Sequence, residues 1–405
     1  MLLKKFAYIV FVIFLSGFVF EYHAQTSGVF TIGLDHPTKV INASGNSLLV
    51  AEGGTFTPNT GRISVVDKTT AVRHTLISGL PSGVSNLGGP PDTDGTTGLL
   101  LHGQVLYLTN GVGDAAMNDG PGIEIPNPAG PSSPIFNSIL ELTLPQGYTD
   151  LASEFVMTMA NQTTLAGNLP VVLTNAEGMH LWIRLVVDLH DYRPEPRPAR
   201  PDNVRAGHLF GLELFESNLY VVDAAFNVIH RVNVVNGNTT TLLTFPNRPN
   251  PLFPMLGGPF VEPVPDNIHR VGDRLLVPLL TGFPFIQNFS GVQSVDIRHG
   301  STETLIPNLT SAIDVLRIEN VKESLISAAI NENSRGDGSY YTLEFSANQL
   351  ANQPGRIRFY ATPTATPVTV VPVVITPTSM VRDPLTGDIF VTNIFPGTLT
   401  RVQFP

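Results

Sequence analysis

A strand–turn–strand unit recurs along this chain, and it constrains the fold more than any other feature of the sequence. In the clearest copy, residues 219–232, two short β-branched runs flank a turn at residues 223–227, which is typical of a hairpin. Six copies can be aligned by the last residue of their first strand: Glu52, Asn110, Asp223, Leu279, Ala329 and Asn393. These positions are 58, 113, 56, 50 and 64 residues apart. A recurrence of about 50–60 residues predicts the blades of a β-propeller.

The composition agrees with an all-β fold. Hydrophobic residues make up 42% of the 405 residues and charged residues only 14%, while 36 glycines and 34 prolines supply turns. Helical spacing is rare, and residues 151–161 are the best candidate for a short helix. We therefore predict a single six-bladed propeller. An apolar strand at residues 28–33 is expected to complete the last blade, because ring closure removes free sheet edges.

The interval between Asn110 and Asp223 is twice the usual one. It contains two strand-like runs, at residues 171–175 and 180–187, and the single tryptophan, Trp182. These runs are either a seventh blade or an insertion at about residues 160–202 on a six-bladed ring. We favour the insertion, because no copy of the segment that precedes the other strands stands before Val171. Residues 193–198, rich in proline, indicate a stiff linker.

A second unusual segment is the loop at residues 111–134, in which glycine and proline are dense. A loop of this length without regular structure is uncommon, and such loops often carry function. We expect the specificity of the protein to lie in loops of this kind.

The N-terminus has the pattern of a secretory signal peptide. Lys4 and Lys5 precede an apolar run at residues 6–20, and small or polar residues then lead to Ala24. We predict removal of residues 1–24, which leaves a propeller domain at 25–405 in a secreted or periplasmic protein. The alternative is an uncleaved anchor. The chain contains no cysteine, which excludes disulfides, thiolate metal sites and a lipoprotein anchor.

The net charge of −10, without a long basic run, argues against nucleic acid and anionic membrane surfaces as partners. We predict a monomer that contacts no membrane beyond its signal peptide. Its partner, a protein or a small molecule, is not identified by the sequence.

Four polar residues, Glu52, Asn110, Asp223 and Asn393, occupy the same place in four repeats. If their side chains faced the central channel, their oxygens would suit a calcium ion. Propeller lactonases of the gluconolactonase type use such a metal. The competing interpretation, which we favour, is that each side chain caps its own turn. Asn227, four residues after Asp223, fits that second interpretation. The favoured cofactor prediction is therefore none, with calcium as the alternative.

Histidines form a second group of candidates. His36 and His208 precede the first strands of their blades, where loops line one mouth of a propeller. Such a pair could act as a base or bind a metal, or could be ordinary surface loop histidines. His180 and His190 flank the Trp182 segment and are predicted to belong to the packing of the insertion. No G-x-S-x-G motif and no phosphate-binding glycine loop occurs in the sequence.

Several motifs resemble those of the ScyD/ScyE family, exported propeller proteins named from scytonemin gene clusters. The motifs are GLDHP at residues 33–37, VAEGG at 50–54, DAAFN at 223–227 and LTGFPF at 280–285. The resemblance covers most of residues 33–315, and it departs at Leu279, where an acidic residue is expected, and at residues 165–202. It implies an exported propeller and no particular activity.

Two functions follow from these observations. The favoured one is an exported, non-catalytic propeller that binds a ligand or a partner as an accessory protein. The alternative is a metal-dependent hydrolase of the lactonase type, built on Glu52, Asn110, Asp223 and Asn393.

Overall fold

The computed structural model describes residues 26–87, 91–318 and 338–404. The predicted signal peptide lies outside the described residues. The first strand of the described residues, β1, is Thr26–Ile32. Blade 1 follows as β2 (Pro37–Asn42), β3 (Ser47–Glu52), β4 (Gly61–Asp67) and β5 (Arg73–Leu80). A small hairpin, β6 (Gly83–Ser85) with β7 (Asp92–Asp94), connects it to blade 2.

Blade 2 carries most of the irregular structure. Its strands are β8 (Thr96–His102), β9 (Val105–Asn110), β12 (Ser138–Thr143) and β15 (His180–Asp188). Between β9 and β12 lies the hairpin β10 (Ala116–Asn118) with β11 (Glu124–Pro126). Between β12 and β15 lie β13 (Phe155–Val156), helix α1 (Met159–Ala166) and β14 (Val171–Thr174). A third hairpin, β16 (Tyr192–Pro194) with β17 (Val204–Ala206), follows the blade.

The remaining blades are four-stranded sheets. Blade 3 contains β18 (Leu209–Phe215), β19 (Asn218–Asp223), β20 (Val228–Asn233) and β21 (Thr239–Thr244), and the short pair β22 (Arg248–Pro249) and β23 (Phe260–Val261) follows it. Blade 4 contains β24 (His269–Val271), β25 (Arg274–Leu279), β26 (Ser290–Asp296) and β27 (Thr302–Leu309). Blade 5 contains β28 (Ala312–Ile318), β29 (Ser339–Glu344), a short 3-10 helix (Gln349–Ala351), β30 (Gly355–Tyr360) and β31 (Val368–Val374). Blade 6 contains β32 (Pro377–Arg382), β33 (Ile389–Asn393) and β34 (Thr398–Gln403).

The N-terminal strand closes the ring, which confirms the prediction from sequence. β1 pairs antiparallel with β34 and supplies the outer strand of blade 6, with Gly28 opposite Arg401. Phe30 packs edge-on against the buried Phe390, with ring centroids 5.1 Å apart. The protein is thus a six-bladed, all-β propeller in which the two ends of the chain share one sheet.

Hydrogen bonds join each blade to the next around the inner edge of the ring. Most inner strands have an irregular register just after their first residue, a bulge that turns a polar group toward the following blade. The bonds, taken around the ring, run from Thr378 to the Pro37 carbonyl (3.0 Å), Thr38 to the Thr96 carbonyl (2.8 Å), Thr97 to the Leu209 carbonyl (2.8 Å), Gly211 N–H to the Asp266 carbonyl (3.0 Å), Asn267 to the Ile313 carbonyl (2.9 Å) and Met380 N–H to the Asp314 carboxylate (2.8 Å).

Polar side chains from opposite blades meet inside the ring. Lys39 of blade 1 donates to Asn267 of blade 4 over 2.8 Å and lies 4.0 Å from the buried Asp314 of blade 5. His269 lies 2.6 Å from the same carboxylate. Burial opposes the charge of Asp314, but Lys39 and His269 hold its pKa below the ordinary value. These contacts connect blades 1, 4 and 5 across the inside of the ring.

The doubled interval between Asn110 and Asp223 is resolved in favour of six blades. The run at residues 180–187 lies within β15, the fourth strand of blade 2. This part of the predicted insertion therefore belongs to the ring itself. Residues 155–174 lie at the outer edges of blades 1 and 2, where β13 pairs with β5 and β14 pairs with β15.

Three sequence expectations differ from the structure. The predicted helix at 151–161 is displaced to Met159–Ala166, because Phe155 is buried and pairs with Ile77, while Thr158 caps the helix. The predicted linker at 193–198 begins as strand β16, because its backbone pairs with β17. The fifth repeat predicted from the sequence, which ends at Ala329, lies outside the described residues, and the second strand of blade 5 is β29. Across the described residues no helix has both the length and the apolarity to span a membrane.

Candidate functional site

The inner strands of the ring all begin at one face of the molecule, which we call the upper face. A cavity of about 520 Å³ opens there, a size typical of sites for small molecules. Thr38, Thr97 and His208, at the starts of inner strands, contribute to its base. Glu124 and Arg205 contribute to its walls.

Three small hairpins build the walls of this cavity. The pairs β6–β7, β10–β11 and β16–β17 all lie in connections on the upper face. An apolar cluster beneath them, which includes Val112, Ala116, Phe136, Val204 and Ala206, anchors two of the hairpins to the ring. The loop at 111–134, singled out from the sequence, contains the β10–β11 hairpin and reaches the cavity.

Two histidine–aspartate pairs meet on strand β7. His36 lies 3.0 Å from Asp92, and His208 lies 3.3 Å from Asp94. Because the two aspartates are two residues apart in a strand, their side chains lie on the same face of β7. The second oxygen of Asp94 accepts a hydrogen bond from the Gly113 N–H at 2.9 Å. Of the two histidines predicted from the sequence, His208 thus lines the cavity, and His36 contacts a residue that lines it, Asp92.

Both histidines have a pKa above the ordinary value. The hydrogen bond to Asp92 raises the pKa of His36, although burial opposes it. Burial alone would lower the pKa of His208, but the charges of Asp94, Asp223 and Asp266 and the hydrogen bond to Asp94 raise it to about 9. His208 is therefore a cation and a hydrogen-bond donor at neutral pH.

On the opposite wall of the cavity, Arg205 connects hairpin β16–β17 to the neighbouring blades. Its guanidinium lies 2.7 Å from Glu262 and donates to the Ala225 carbonyl at 2.6 Å, which ties hairpin β16–β17 to blades 3 and 4. Glu124 accepts a hydrogen bond from the Ala206 N–H at 2.9 Å, and burial raises the pKa of Glu124. The wall thus has its polar groups already oriented.

The four polar residues that repeat in the sequence lie elsewhere. None of them lines the cavity. Glu52 is fully buried within blade 1, where it contacts Arg62 (2.8 Å), Arg73 (3.3 Å), the Asp35 N–H (2.5 Å) and the hydroxyl of Ser64. Its carboxylate is thus surrounded by donors of its own blade.

The other three members of the set also bond within their blades. Asn110 donates to Ser138 at 3.1 Å, and Asn393 donates to Thr398 and Thr400 at 3.0 and 2.9 Å. Asp223 accepts from the N–H groups of His208 (3.1 Å) and Phe226 (2.8 Å), and the Phe226 bond is a turn cap.

Three of these four side chains also retain a buried oxygen without a hydrogen-bond partner. The oxygens belong to Asn110, Asp223 and Asn393. Over the described ranges, no group of three or more His, Asp or Glu side chains is placed to hold a metal ion. The calcium hypothesis stays a prediction, for which a solution test is given below.

The structure adds a residue that sequence reasoning missed. Glu344 ends β29 as Glu52 ends β3, and its carboxylate is bound by Arg356, Arg358 and the Thr310 N–H. The signal is present in the sequence, since SYYTLE at 339–344 matches the pattern of SLLVAE at 47–52. The sequence alignment ends the fifth repeat at Ala329 instead, so it does not identify Glu344 as the equivalent of Glu52.

Two further candidates, His180 and His190, lie away from the cavity wall. His180 begins β15 on the outer side of blade 2, is exposed, and lies 3.0 Å from the hydroxyl of Thr174 on β14. The carbonyl of His190 accepts a hydrogen bond from Asn137 at 2.8 Å.

No family model and no curated protein sequence matches this chain. Among solved structures, it is similar to an auxiliary nutrient binding protein from Bacteroides thetaiotaomicron. That protein is 11% identical, with 91% of this chain and 69% of that chain covered and a TM-score of 0.49. An auxiliary nutrient binding protein from Bacteroides ovatus is 8% identical, with 94% and 76% covered and a TM-score of 0.48. At these identities the similarity says nothing of this chain's own ligand.

Proposed function

We propose that this protein is an exported, non-catalytic β-propeller that binds a small polar molecule in the cavity of its upper face. The observation that carries the proposal is a cavity of about 520 Å³ whose charged groups are fixed by contacts with one another. Groups that are oriented before binding lose little conformational entropy when the ligand arrives. The cavity is thus suited to binding.

Export is supported by the sequence. Lys4 and Lys5 followed by the apolar run at 6–20 have the order of a signal peptide, and the resemblance to the ScyD/ScyE family implies the same compartment. Cleavage after about residue 24 would leave the closing strand, which begins at Thr26, complete.

The alternative function is a metal-dependent hydrolase of the lactonase type. It requires Glu52, Asn110, Asp223 and Asn393 to converge, whereas each of these side chains is bonded within its own blade. A histidine that serves as a general base must also be neutral at the working pH, and the raised pKa of His208 opposes this. The contacts therefore favour the binding function.

Filling the cavity tests the proposal even while the ligand is unidentified. Ala225 lines the cavity in a turn, so Ala225→Trp would occupy part of its volume. Ala361→Trp, in an exposed loop that follows β30 on the opposite face, is the matched control. A library of small polar metabolites is screened against each protein by ligand-observed NMR. We expect binders that contact wild type and Ala361→Trp but not Ala225→Trp. Binders that keep their contact with Ala225→Trp, or the lack of any binder, would contradict the proposal.

A further inference from the structure

The cavity wall combines many charged groups with a small net charge. Among the groups that line the wall, five carboxylates face three basic side chains, and a fourth base, His36, pairs with the wall carboxylate of Asp92. The carboxylates belong to Asp92, Asp94, Glu124, Glu195 and Glu262, and the basic side chains of the lining to Arg197, Arg205 and His208. Three of the four bases are paired with wall carboxylates. The wall is therefore close to electrically neutral.

A wall of this kind favours an uncharged ligand with many hydroxyl groups. Each carboxylate has about four lone-pair positions that can accept a hydrogen bond. A carboxylate that is paired with one base keeps some of these positions free for the hydroxyl groups of a ligand. Arg197 has no acidic partner among the residues that the structure describes, so its donors are available to a ligand oxygen. An anion would face five carboxylates, and a cation would face two guanidiniums and the protonated His208.

Apolar and aromatic groups complete the site. Leu87, Val112 and Phe210 line the cavity, and Phe56 and Phe395 flank His36 at its edge with ring centroids 6.1 and 6.4 Å from the imidazole. The last two phenylalanines are 58% and 61% exposed, so their rings can contact a ligand at the cavity edge. Such rings can cover the C–H face of a pyranose, whose hydroxyls point outward from the ring.

We infer that the ligand of this cavity is a neutral carbohydrate, a mono- or disaccharide, held by the wall carboxylates and Arg197 and covered by the phenylalanines at the edge. The inference rests on the proposed function, since it names the ligand class of the same cavity. The alternatives of similar size are an amino sugar, which is a cation, and a sugar acid, which is an anion.

Isothermal titration calorimetry with matched sugars tests the inference on the full propeller chain. Glucose, galactose, mannose, maltose, cellobiose, lactose and sucrose form the neutral set. Glucosamine and galactosamine form the cationic set, and glucuronate and galacturonate the anionic set. We expect one or more neutral sugars to bind and their charged counterparts to bind at least about tenfold more weakly, because a charge without a partner is costly in the cavity.

A pair of glutamate variants locates the binding. Glu262 and Glu303 each lie 2.7 Å from an arginine, Arg205 in the cavity wall and Arg274 on blade 4. The two arginines are similarly buried, at 18% and 16% exposure, so the ion pairs are matched. We expect Glu262→Gln to weaken sugar binding about tenfold, the effect of losing a hydrogen bond to a charged group, and Glu303→Gln to leave it unchanged. Thermal melts of both variants check that they are folded.

The outcomes separate the inference from the proposed function. If only a charged sugar bound, and Glu262→Gln weakened its binding, the inference of a neutral ligand would be wrong. The proposal that the cavity binds a small polar molecule would still stand. Neutral sugars bound equally by wild type and Glu262→Gln would overturn the site. No binding by any sugar, while the metabolite screen gives a binder that Ala225→Trp loses, would overturn the inference alone. A failure of both experiments would overturn the inference and the proposed function.

Discussion

At the scale of single residues, the pair of His208 and Asp94 gives the sharpest prediction. The pKa of His208 in the folded protein is about 9, above its ordinary value of 6.5, so protonation and folding favour each other. The stabilisation is complete below pH 6.5 and is lost as the pH rises through about 9. We expect the imidazole signals of His208 in NMR to titrate near pH 9 and Asp94→Asn to move the midpoint well below this value. A wild-type midpoint at or below 6.5 would contradict the pairing.

Glu52 gives a second prediction at this scale. Its carboxylate is fully buried and holds two arginines, so Glu52→Gln leaves partly buried cations without their partner. We expect a loss of about 3 kcal/mol in the free energy of unfolding by urea titration. Glu303→Gln, at an exposed ion pair, should change it by less than about 0.5 kcal/mol. Equal effects of the two variants would show that the Glu52 network contributes little.

Prediction of individual residues from the sequence has a clear limit. The spacing of His36 and His208 before their blade strands predicts one mouth of the propeller, and in the structure both pair with aspartates that line one cavity, which His208 itself also lines. Their aspartate partners could not be predicted from the sequence, because β7 is only three residues long and is too short to show an alternation of apolar and polar residues. The ion pairs of the wall join residues more than 50 positions apart, which one sequence does not connect.

At the scale of elements, the closing strand is the part that sequence reasoning predicts well. An apolar run at one end of the chain and an incomplete last repeat at the other imply the pairing of β1 with β34. The sequence predicts loops or a linker where the short hairpins of the upper face lie. Strands of three residues are too short to show an alternation of apolar and polar residues. The parallel pair of β13 and β5 also escapes prediction, because residues far apart in sequence form it.

Phe30 tests the energetic role of β1. Phe30→Ala removes a ring that packs on Phe390, and we expect a loss of about 2 kcal/mol in the free energy of unfolding by denaturant titration. Val29→Ala, whose side chain is 66% exposed in the same strand, is the control and should change it by less than about 0.5 kcal/mol. If Phe30→Ala unfolded at the same denaturant concentration as wild type, β1 would not contribute to ring closure.

At the scale of the whole molecule, hydrogen bonds join all six blades in a continuous ring, and polar side chains meet inside it. Lys39 and Asn267 come from opposite blades, so their hydrogen bond crosses the inside of the ring. The cavity opens on the upper face between the three small hairpins, and we therefore expect the function there. The sequence repeat predicts the ring and its number of blades. It does not predict which side chains point into the ring, because that depends on β-bulges in the inner strands, which the repeat pattern does not show.

The calcium hypothesis is also tested on the whole molecule. A metal that binds only the folded state would raise stability by RT ln(1 + [L]/Kd). Because Glu52, Asn110, Asp223 and Asn393 bond within their own blades, we expect the same melting temperature in excess calcium and in excess chelator. A rise with calcium that Asp223→Ala abolishes would favour the hydrolase instead.

The central claim is that a small molecule binds beside the two histidine–aspartate pairs. NMR of the histidine rings during titration with a binder from the metabolite screen or the sugar set tests this most directly, since His36 and His208 lie at the cavity edge. His102 and His299 are exposed residues outside the cavity wall and serve as internal references. We predict that the signals of His36 and His208 shift with a saturating dependence on ligand while those of His102 and His299 stay fixed. Saturable binding that leaves the His36 and His208 signals unmoved would contradict the account.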